Sequence, residues 1–388
     1  MLELSQKYKE RDASSESKLK EAFEFKNKKA PFIINDCNYW TFGDHQANIP
    51  EGYYGDDPSV SMKYQLEKIK RHNGYYTDDC YQGFLHPWFG TGVLASGFGT
   101  EIIFNDKADP AVGMSKIKQV EELKKLKLPN PETDGIMPMV VRSLDYYKQH
   151  CDLPIGITDC QGPLTTALSI IGYENFCYWV YDHPRQIHEL MELVTEGLIQ
   201  WINFQKQRVG ASMQGCNYPL GVKVPDGFGG VWISDDDAVI MSADIFKEFV
   251  VPYNSKVLNA FGGGCIHYCG NATQHIENYC NTDGLTSVNN LHLDNIEAAV
   301  KMKNALGKKG IAYMACDFVP NDKRLESYYS ELFGAMDDQT GLIVVSYVAP
   351  AVELDHGKYE QSDRNQFELG KKVKDVIVAA MDAGELEI

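Results

Sequence analysis

Positive charge is scarce in this chain. Its 388 residues carry 37 Lys and Arg against 54 Asp and Glu, a formal net charge of −17. That balance argues against nucleic acid or an anionic membrane surface as a partner, since both are held by basic patches. It also leaves a polyanionic substrate without counter-charges unless cations cluster locally. No run of 18 apolar residues occurs, so no membrane-spanning helix is expected. The opening stretch MLELSQKYKERDASSESKLKEAFEF has no apolar core of the kind a secretory signal needs. The ten cysteines include no CxxC pair and no regular spacing, which excludes a small disulfide framework. No GxGxxG follows a strand pattern and no GxxxxGK occurs, so neither a dinucleotide fold nor a P-loop is marked. Repeats and low-complexity segments are missing too. A cytoplasmic protein with reduced thiols is the expectation.

What remains is globular. Hydrophobic residues make up 44% and charged residues 23%, enough for a sizeable core. Residues 1–30 read as a solvent-facing helical extension. Residues 50–100 are rich in Gly, Asp and aromatics, the composition of long loops packed over a site. From 150 onward, strand and helix patterns alternate. Strands are expected at 154–158, 231–234, 265–269, 285–290, 311–315 and in the run GLIVVSYVAP from 341. The segment DHPRQIHELMELVTEGLIQWINFQKQRVG reads as a helix, with Pro184 in its first turn and Gly210 as its stop. Ser242 caps a helix expected through 243–261, and an Asp294/Glu297 capping box opens another. Repeated strand–helix units require a parallel sheet with crossover helices, and strands apolar throughout imply that both faces are covered. The expected fold is α/β, a (β/α)8 barrel spanning 1–388 as a single domain.

In such a barrel, chemistry sits where the strands end. The strand ends here deliver Asp159, Cys160 and Gln161, then Asp235, Asp236 and Asp237, then His267 and Cys269, then Cys316 and Asp317, and last Ser346 and Tyr347. In FGGGCIHYCGNA, His267 and Cys269 are two apart on a strand and so share a face. They either converge on one ion or are core groups that happen to be imidazole and sulfur. Cys265 shares that face but lies deeper, as filling. Cys316 is a possible third soft ligand. One Asp of the 235–237 cluster is a fourth, or a partner that fixes the imidazole tautomer. Imidazole with thiolates favours Zn2+ over Mg2+ or Ca2+. Aromatics near strand ends and loops, among them Trp40, Trp88, Phe89, Tyr218 and Trp232, are candidate walls of a substrate pocket, together with Asp159.

The segments ISDDDAVIMSADIFKEFVVPY, CIHYCGNAT and ACDFVP, with the helix before them, resemble the uroporphyrinogen decarboxylase superfamily over roughly residues 150–350. HPWFGTGVLASGFGTE adds a weaker echo. The His-x-Cys-Gly of 267–270 looks like the branch of corrinoid-dependent methyltransferases. That resemblance implies a (β/α)8 barrel, a zinc ion and methyl exchange with a separate corrinoid-binding protein. Two departures stand out. APFIINDCNYWTFGD has no Arg where decarboxylases carry one, and the whole chain has seven. An octacarboxylate substrate needs clustered cations, so decarboxylation is not expected. Relatives that use a thiol coenzyme place a Cys in the last strand, where this chain has Ser346 and Tyr347. The resemblance to aryl-ether demethylating enzymes instead suits Asp236, Cys269 and Cys316 beside His267 as the ligand set, with Asp236 and Tyr347 as catalytic candidates. The expected activity moves a methyl group from a small O-methyl compound, an aryl methyl ether, to the Co(I) corrinoid (cobalamin) of the partner protein. Two alternatives stand beside it: transfer from methylcorrinoid to tetrahydrofolate or a thiol, and a barrel that binds a small molecule without catalysis.

Overall fold

Six apolar runs pair in parallel to make the sheet that carries the site. They are β1 (Phe32–Asp36), β2 (Val231–Ser234), β3 (Gly264–Cys269), β4 (Leu285–Leu291), β5 (Ala312–Phe318) and β6 (Leu342–Val348). Their order across the sheet is β1-β6-β5-β4-β3-β2. The computed structural model describes residues 6–36, 49–75, 79–105, 108–210, 217–218, 221–291, 295–318, 325–348, 351–355, 358–361 and 363–383. The fold is mixed α/β with helices between the strands, as the alternating pattern requires.

The arc between β1 and β2 is not filled by regular strands. Segment 80–86 meets β1 where Cys80 N–H donates to Phe32 O at 2.8 Å. It meets segment 154–162 through a parallel bridge between Leu85 and Ile155, and that segment meets β2 through one between Gln161 and Ser234. The strand expected at 154–158 is therefore reduced to isolated bridges. Pro154 has no N–H to give to a ladder, and Gly156 has no side chain to pack. The barrel-like ring is thus six strands and two irregular segments rather than eight strands.

Register sets the faces. Ser234 pairs with His267, His267 with Asn289, Asn289 with Met314, and Cys316 with Val345. Residues paired in this way share a face, and so do their second neighbours along each strand. Cys265, His267, Cys269, Asn289, Cys316 and Tyr347 therefore line one side of the sheet. The residues between them face helices. Asp317 and Ser346 accept or share hydrogen bonds with Tyr328 and Tyr329 of helix Leu325–Gly334, at 2.5 and 2.6 Å. Ser346 is thus turned away from the site face.

The helices follow their local signals with two corrections. Helix Pro184–Val209 buries Ile187, Leu190, Met191, Val194, Leu198 and Trp201 at helical spacing and stops at Gly210, whose φ is 88°. Ser242 Oγ accepts from Ile245 N–H at 3.3 Å, as a cap should. The single helix expected through 243–261 is two, Ala243–Phe249 and Val251–Ala260. Pro252 lacks the N–H that would continue the first one, so the chain breaks at Val250. Asn295 is the cap of helix Ile296–Gly307, accepting from Ala298 N–H at 3.2 Å, while Asp294 lies outside the described residues. No helix among the described residues is long and apolar enough to cross a membrane.

The N-terminal helix, Gln6–Phe23, is not simply solvent-facing. Leu19, Ala22 and Phe23 are buried, and Phe23 packs on Phe228 with ring centroids 5.2 Å apart. Arg11 reaches Asp79 Oδ1 at 2.6 Å, and Asp79 Oδ2 accepts from Ile34 N–H at 2.9 Å. This buried carboxylate ties the helix to β1. Replacing Asp79 by Ala should cost about 3–5 kcal/mol, because it strands the Arg11 charge and an interior N–H together. Urea denaturation of the variant measures it.

Candidate metal centre at the strand ends

Asp236, His267 and Cys269 come together. One ligand atom from each lies within 4.8 Å of the other two. His267 Nε2 is 3.4 Å from Asp236 Oδ1 and 3.4 Å from Cys269 Sγ. Strand alternation puts His267 and Cys269 on one face. A turn delivers the third group. Asp235 N–H donates to His267 O at 2.7 Å, which extends the β2–β3 pairing by one residue. The chain then winds into the short helical turn Asp236–Ile240, which swings the Asp236 carboxylate toward β3. His275 Nε2 meets Ala238 O at 2.8 Å and holds that turn in place.

Charge in this cluster is strongly coupled. Burial works against an imidazolium at His267, but Cys269 and Asp236 outweigh it and hold the ring well above the usual histidine range. Burial would raise Asp236, yet its contact with His267 holds the carboxyl below the usual range. Burial pushes the Cys269 thiol up, with His267 opposing. Without a metal, a proton on His267 faces the Asp236 carboxylate. With one, the ion takes over that role. Asp236 Oδ1 carries the clearest sign of fit. The atom is buried and makes no hydrogen bond, although the side chain as a whole is 34% exposed. A buried carboxylate oxygen with no hydrogen bond of its own, 3.4 Å from an imidazole nitrogen and beside a thiol, is part of a donor set that suits a metal ion.

The three aspartates of the cluster have separate fates. Asp235 is fully buried and accepts from Asn254 Nδ2 at 2.5 Å. Burial raises its carboxyl from 3.8 to about 7. Asp237 takes a hydrogen bond from Tyr173 and lines a surface cleft. Asp236 alone joins His267. The raised Asp235 makes a prediction about pH. The unfolded chain loses that proton near 4 and the folded chain near 7, so between those values the folded chain binds more protons. Stability should therefore fall as pH rises through that window. Asp235→Asn stays neutral throughout, so the difference in Tm between pH 5 and pH 8 should shrink in the variant.

Cys316 is not one of the three converging groups. It is fully buried, and its thiol accepts a hydrogen bond from Asn289 Nδ2. Burial pushes that thiol well up. Cys265 is buried one layer below His267, beside Trp232 and Ser287 in register, as filling should be. Asp159 is near the cluster. Burial raises its carboxyl to about 6, with Asp236 adding to the rise and His267 opposing it. It accepts from Gln161 Nε2 at 2.6 Å and from Ser234 Oγ at 3.4 Å. Tyr347 is 2% exposed on the site face, paired with Phe318 and Asn35.

The aromatic pocket is only partly assembled from the residues expected. Trp88 is buried in a small separate cluster with Ile49, Tyr53 and Tyr64, and its indole N–H donates to Asp109 Oδ1 at 2.8 Å. Phe89 belongs to the main core, and Trp232 lies below the cluster. Trp40 falls outside the described residues. Tyr218 stands in the two-residue strand Asn217–Tyr218, with its side chain outside the description. A cleft of about 590 Å³ reaches the cluster from one side. Met114, Thr165 and Tyr173 line it, with Gln161, Asp236 and Asp237 at its inner end. The residue that sequence reasoning missed is Asn289. Its trace was one of two adjacent amides in the strand run LTSVNNL, where a buried polar group needs partners.

The fold can now be set against known proteins. The profile of the uroporphyrinogen decarboxylase family matches residues 88–217. Among solved structures, a methyltransferase from Methanosarcina mazei superposes with a TM-score of 0.65 at 17% identity, covering 95% of this chain and 98% of that one. The fold is uroporphyrinogen decarboxylase-like. No curated protein sequence matches the chain. The profile match takes in most of the HPWFGTGVLASGFGTE stretch and the long helix, and it stops before Asp236. The cluster therefore rests on its own geometry. In the uroporphyrinogen decarboxylase-like frame, Asp236, His267 and Cys269 stand at the C-terminal ends of adjacent strands, where barrel-like folds place their chemistry.

Proposed function

We propose that this chain is a zinc-dependent methyltransferase. It takes a methyl group from an O-methyl compound, an aryl methyl ether, and passes it to the Co(I) corrinoid of a separate protein. The observation that carries the reading is the convergence of Asp236, His267 and Cys269 at the strand ends. The similarity of the fold to a methyltransferase from Methanosarcina mazei supports it. A mixed oxygen, nitrogen and sulfur donor set favours Zn2+ over the hard cations.

The chemical obstacle is the leaving group, because an ether does not release an alkoxide or phenoxide unaided. A zinc ion bound here would supply a Lewis acid for the negative charge that develops on the departing oxygen. The chain's own residues do the rest. Asp236, His267 and Cys269 would hold the ion, with Asp236 lining the cleft. Asp159, with its carboxyl raised to about 6, is the proposed source of a proton for the leaving oxygen. Tyr347, on the same sheet face, is the proposed second hydrogen-bonding group. The cleft beside Asp236 orients the donor so that its methyl group faces outward, in line with the bond that breaks. Exposed apolar side chains that line the cleft, Met114 and Tyr173, give the corrinoid protein a surface to meet.

The test mixes zinc-loaded protein with a reduced corrinoid protein and a panel of methoxyarenes, and follows the cobalt spectrum. Conversion of Co(I) to methyl-Co(III) with a methoxyarene is expected. Conversion only in reverse, from methylcorrinoid to tetrahydrofolate or a thiol, overturns the direction proposed. A chain that takes up no zinc overturns the reading as a whole.

A further inference from the structure

We infer that Asn289 is the positioning residue of this centre. Its side-chain amide fixes His267 as the Nδ1–H tautomer and so presents the Nε2 lone pair to the ion. The inference rests on the metal reading above, and the geometry behind it is independent of any ion.

Asn289 sits mid-strand in β4 and is fully buried, the register partner of His267 on one side and Met314 on the other. Its Nδ2 is 3.4 Å from the backbone carbonyl of Met314 and also donates to the Cys316 thiol. A backbone carbonyl only accepts. Reversing the amide would set Oδ1 against that carbonyl and point N–H groups at the imidazole. The amide is therefore oriented with Oδ1 toward His267, and Oδ1 lies 2.5 Å from Nδ1. An amide oxygen accepts, so Nδ1 carries the hydrogen. A neutral His267 then carries its lone pair on Nε2, the atom that faces Asp236 and Cys269. His267 lies in a buried layer, 3% exposed. One neutral amide thus joins three strands at the level of the site. It orients the ligand without adding charge beside Asp236 and Cys269, and it keeps the Cys316 thiol engaged behind the cluster.

Three variants test this with readouts other than turnover. Zinc affinity is measured by competition with a chelator. In Co2+-substituted protein, NMR then follows the exchangeable ring N–H of the ligated histidine. Wild type should show one slowly exchanging Nδ1–H signal. Asn289→Ala should lose about 10–100-fold in zinc affinity and lose that signal to solvent exchange. Asn289→Asp keeps an acceptor for Nδ1–H, so it should retain the signal and most of the affinity, although it cannot donate to Cys316. If Asn289→Ala does not fold, the isosteric Asn289→Leu takes its place. An Ala or Leu variant that binds zinc as wild type does, with the N–H signal intact, overturns the inference. So does an Asp variant that loses as much as Ala, which would mean the side chain matters only for packing. Failure of wild type itself to bind zinc instead sinks the metal reading, and the two failures are told apart by the wild-type titration alone.

Discussion

Cys269→Ala is expected to lose zinc by on the order of 10³-fold in affinity, and with it all methyl transfer. A structural set of ligands binds zinc with roughly 10–16 kcal/mol in total, so one thiolate carries several kcal/mol of it. The loss should appear as a chain purified without bound metal. The metal-free protein, by contrast, should unfold close to wild type, because Cys269 is only half-buried and its removal leaves the His267–Asp236 contact in place. A purely structural thiol predicts the opposite pattern, unchanged zinc content with a loss of stability from the truncated side chain. Zinc analysis and thermal unfolding on the same two samples separate these outcomes. His267→Ala should lose zinc equally and cost stability as well, since it leaves the buried Asp236 oxygen with no cationic neighbour.

The second large effect is steric. A Cβ on Gly264 would stand 2.1 Å from Val231 O and 2.6 Å from Val231 Cγ1. Val231 is the register partner of Gly264, so the clash falls on the pairing of β2 with β3. The first is a backbone atom, and the second belongs to a β-branched side chain that is stiff at χ1. Gly264→Ala should therefore cost at least ~3 kcal/mol, at the upper end of overpacking penalties. Because β2 leads into Asp236 and β3 carries His267 and Cys269, any protein that folds should also bind zinc more weakly. An unchanged urea midpoint in Gly264→Ala would show that β2 and β3 do not approach so closely.

Much of the architecture was legible because the physics is local. Apolar runs separated by helical periodicity allow few arrangements other than a parallel sheet with crossovers, and Pro184, Gly210 and Ser242 mark helix ends by mechanisms that act within a turn. The segment at 154–158 was misread because apolar composition alone does not show that Pro154 and Gly156 spoil a ladder. The buried face of the first helix was hidden for a related reason. It is made by contacts with Phe228 and Asp79, both distant in sequence.

The candidate site divides in the same way. His267 and Cys269 could be paired from the two-residue period of one strand. Asp236 could not be told from Asp235 and Asp237, because the turn after β2 decides which carboxylate faces β3, which meets Asn254 and which meets Tyr173. The role of Asn289 could not be read from its run alone, because it depends on register with two other strands. Trp88 is buried in a small cluster, with its indole N–H bonded to Asp109. Aromatic loop residues are recognised as packing once their polar atoms have partners.

In this reading Asp236, His267 and Cys269 hold one zinc ion. X-ray absorption at the zinc edge on the purified protein, wild type against Cys269→Ala, tests it most directly. The account predicts about one zinc per chain in wild type, with a sulfur ligand near 2.3 Å and nitrogen or oxygen ligands near 2.0–2.1 Å. The sulfur contribution should vanish, or the metal with it, in Cys269→Ala. Zinc with the same sulfur ligation in both proteins, or no zinc in wild type after incubation with the ion, would contradict it.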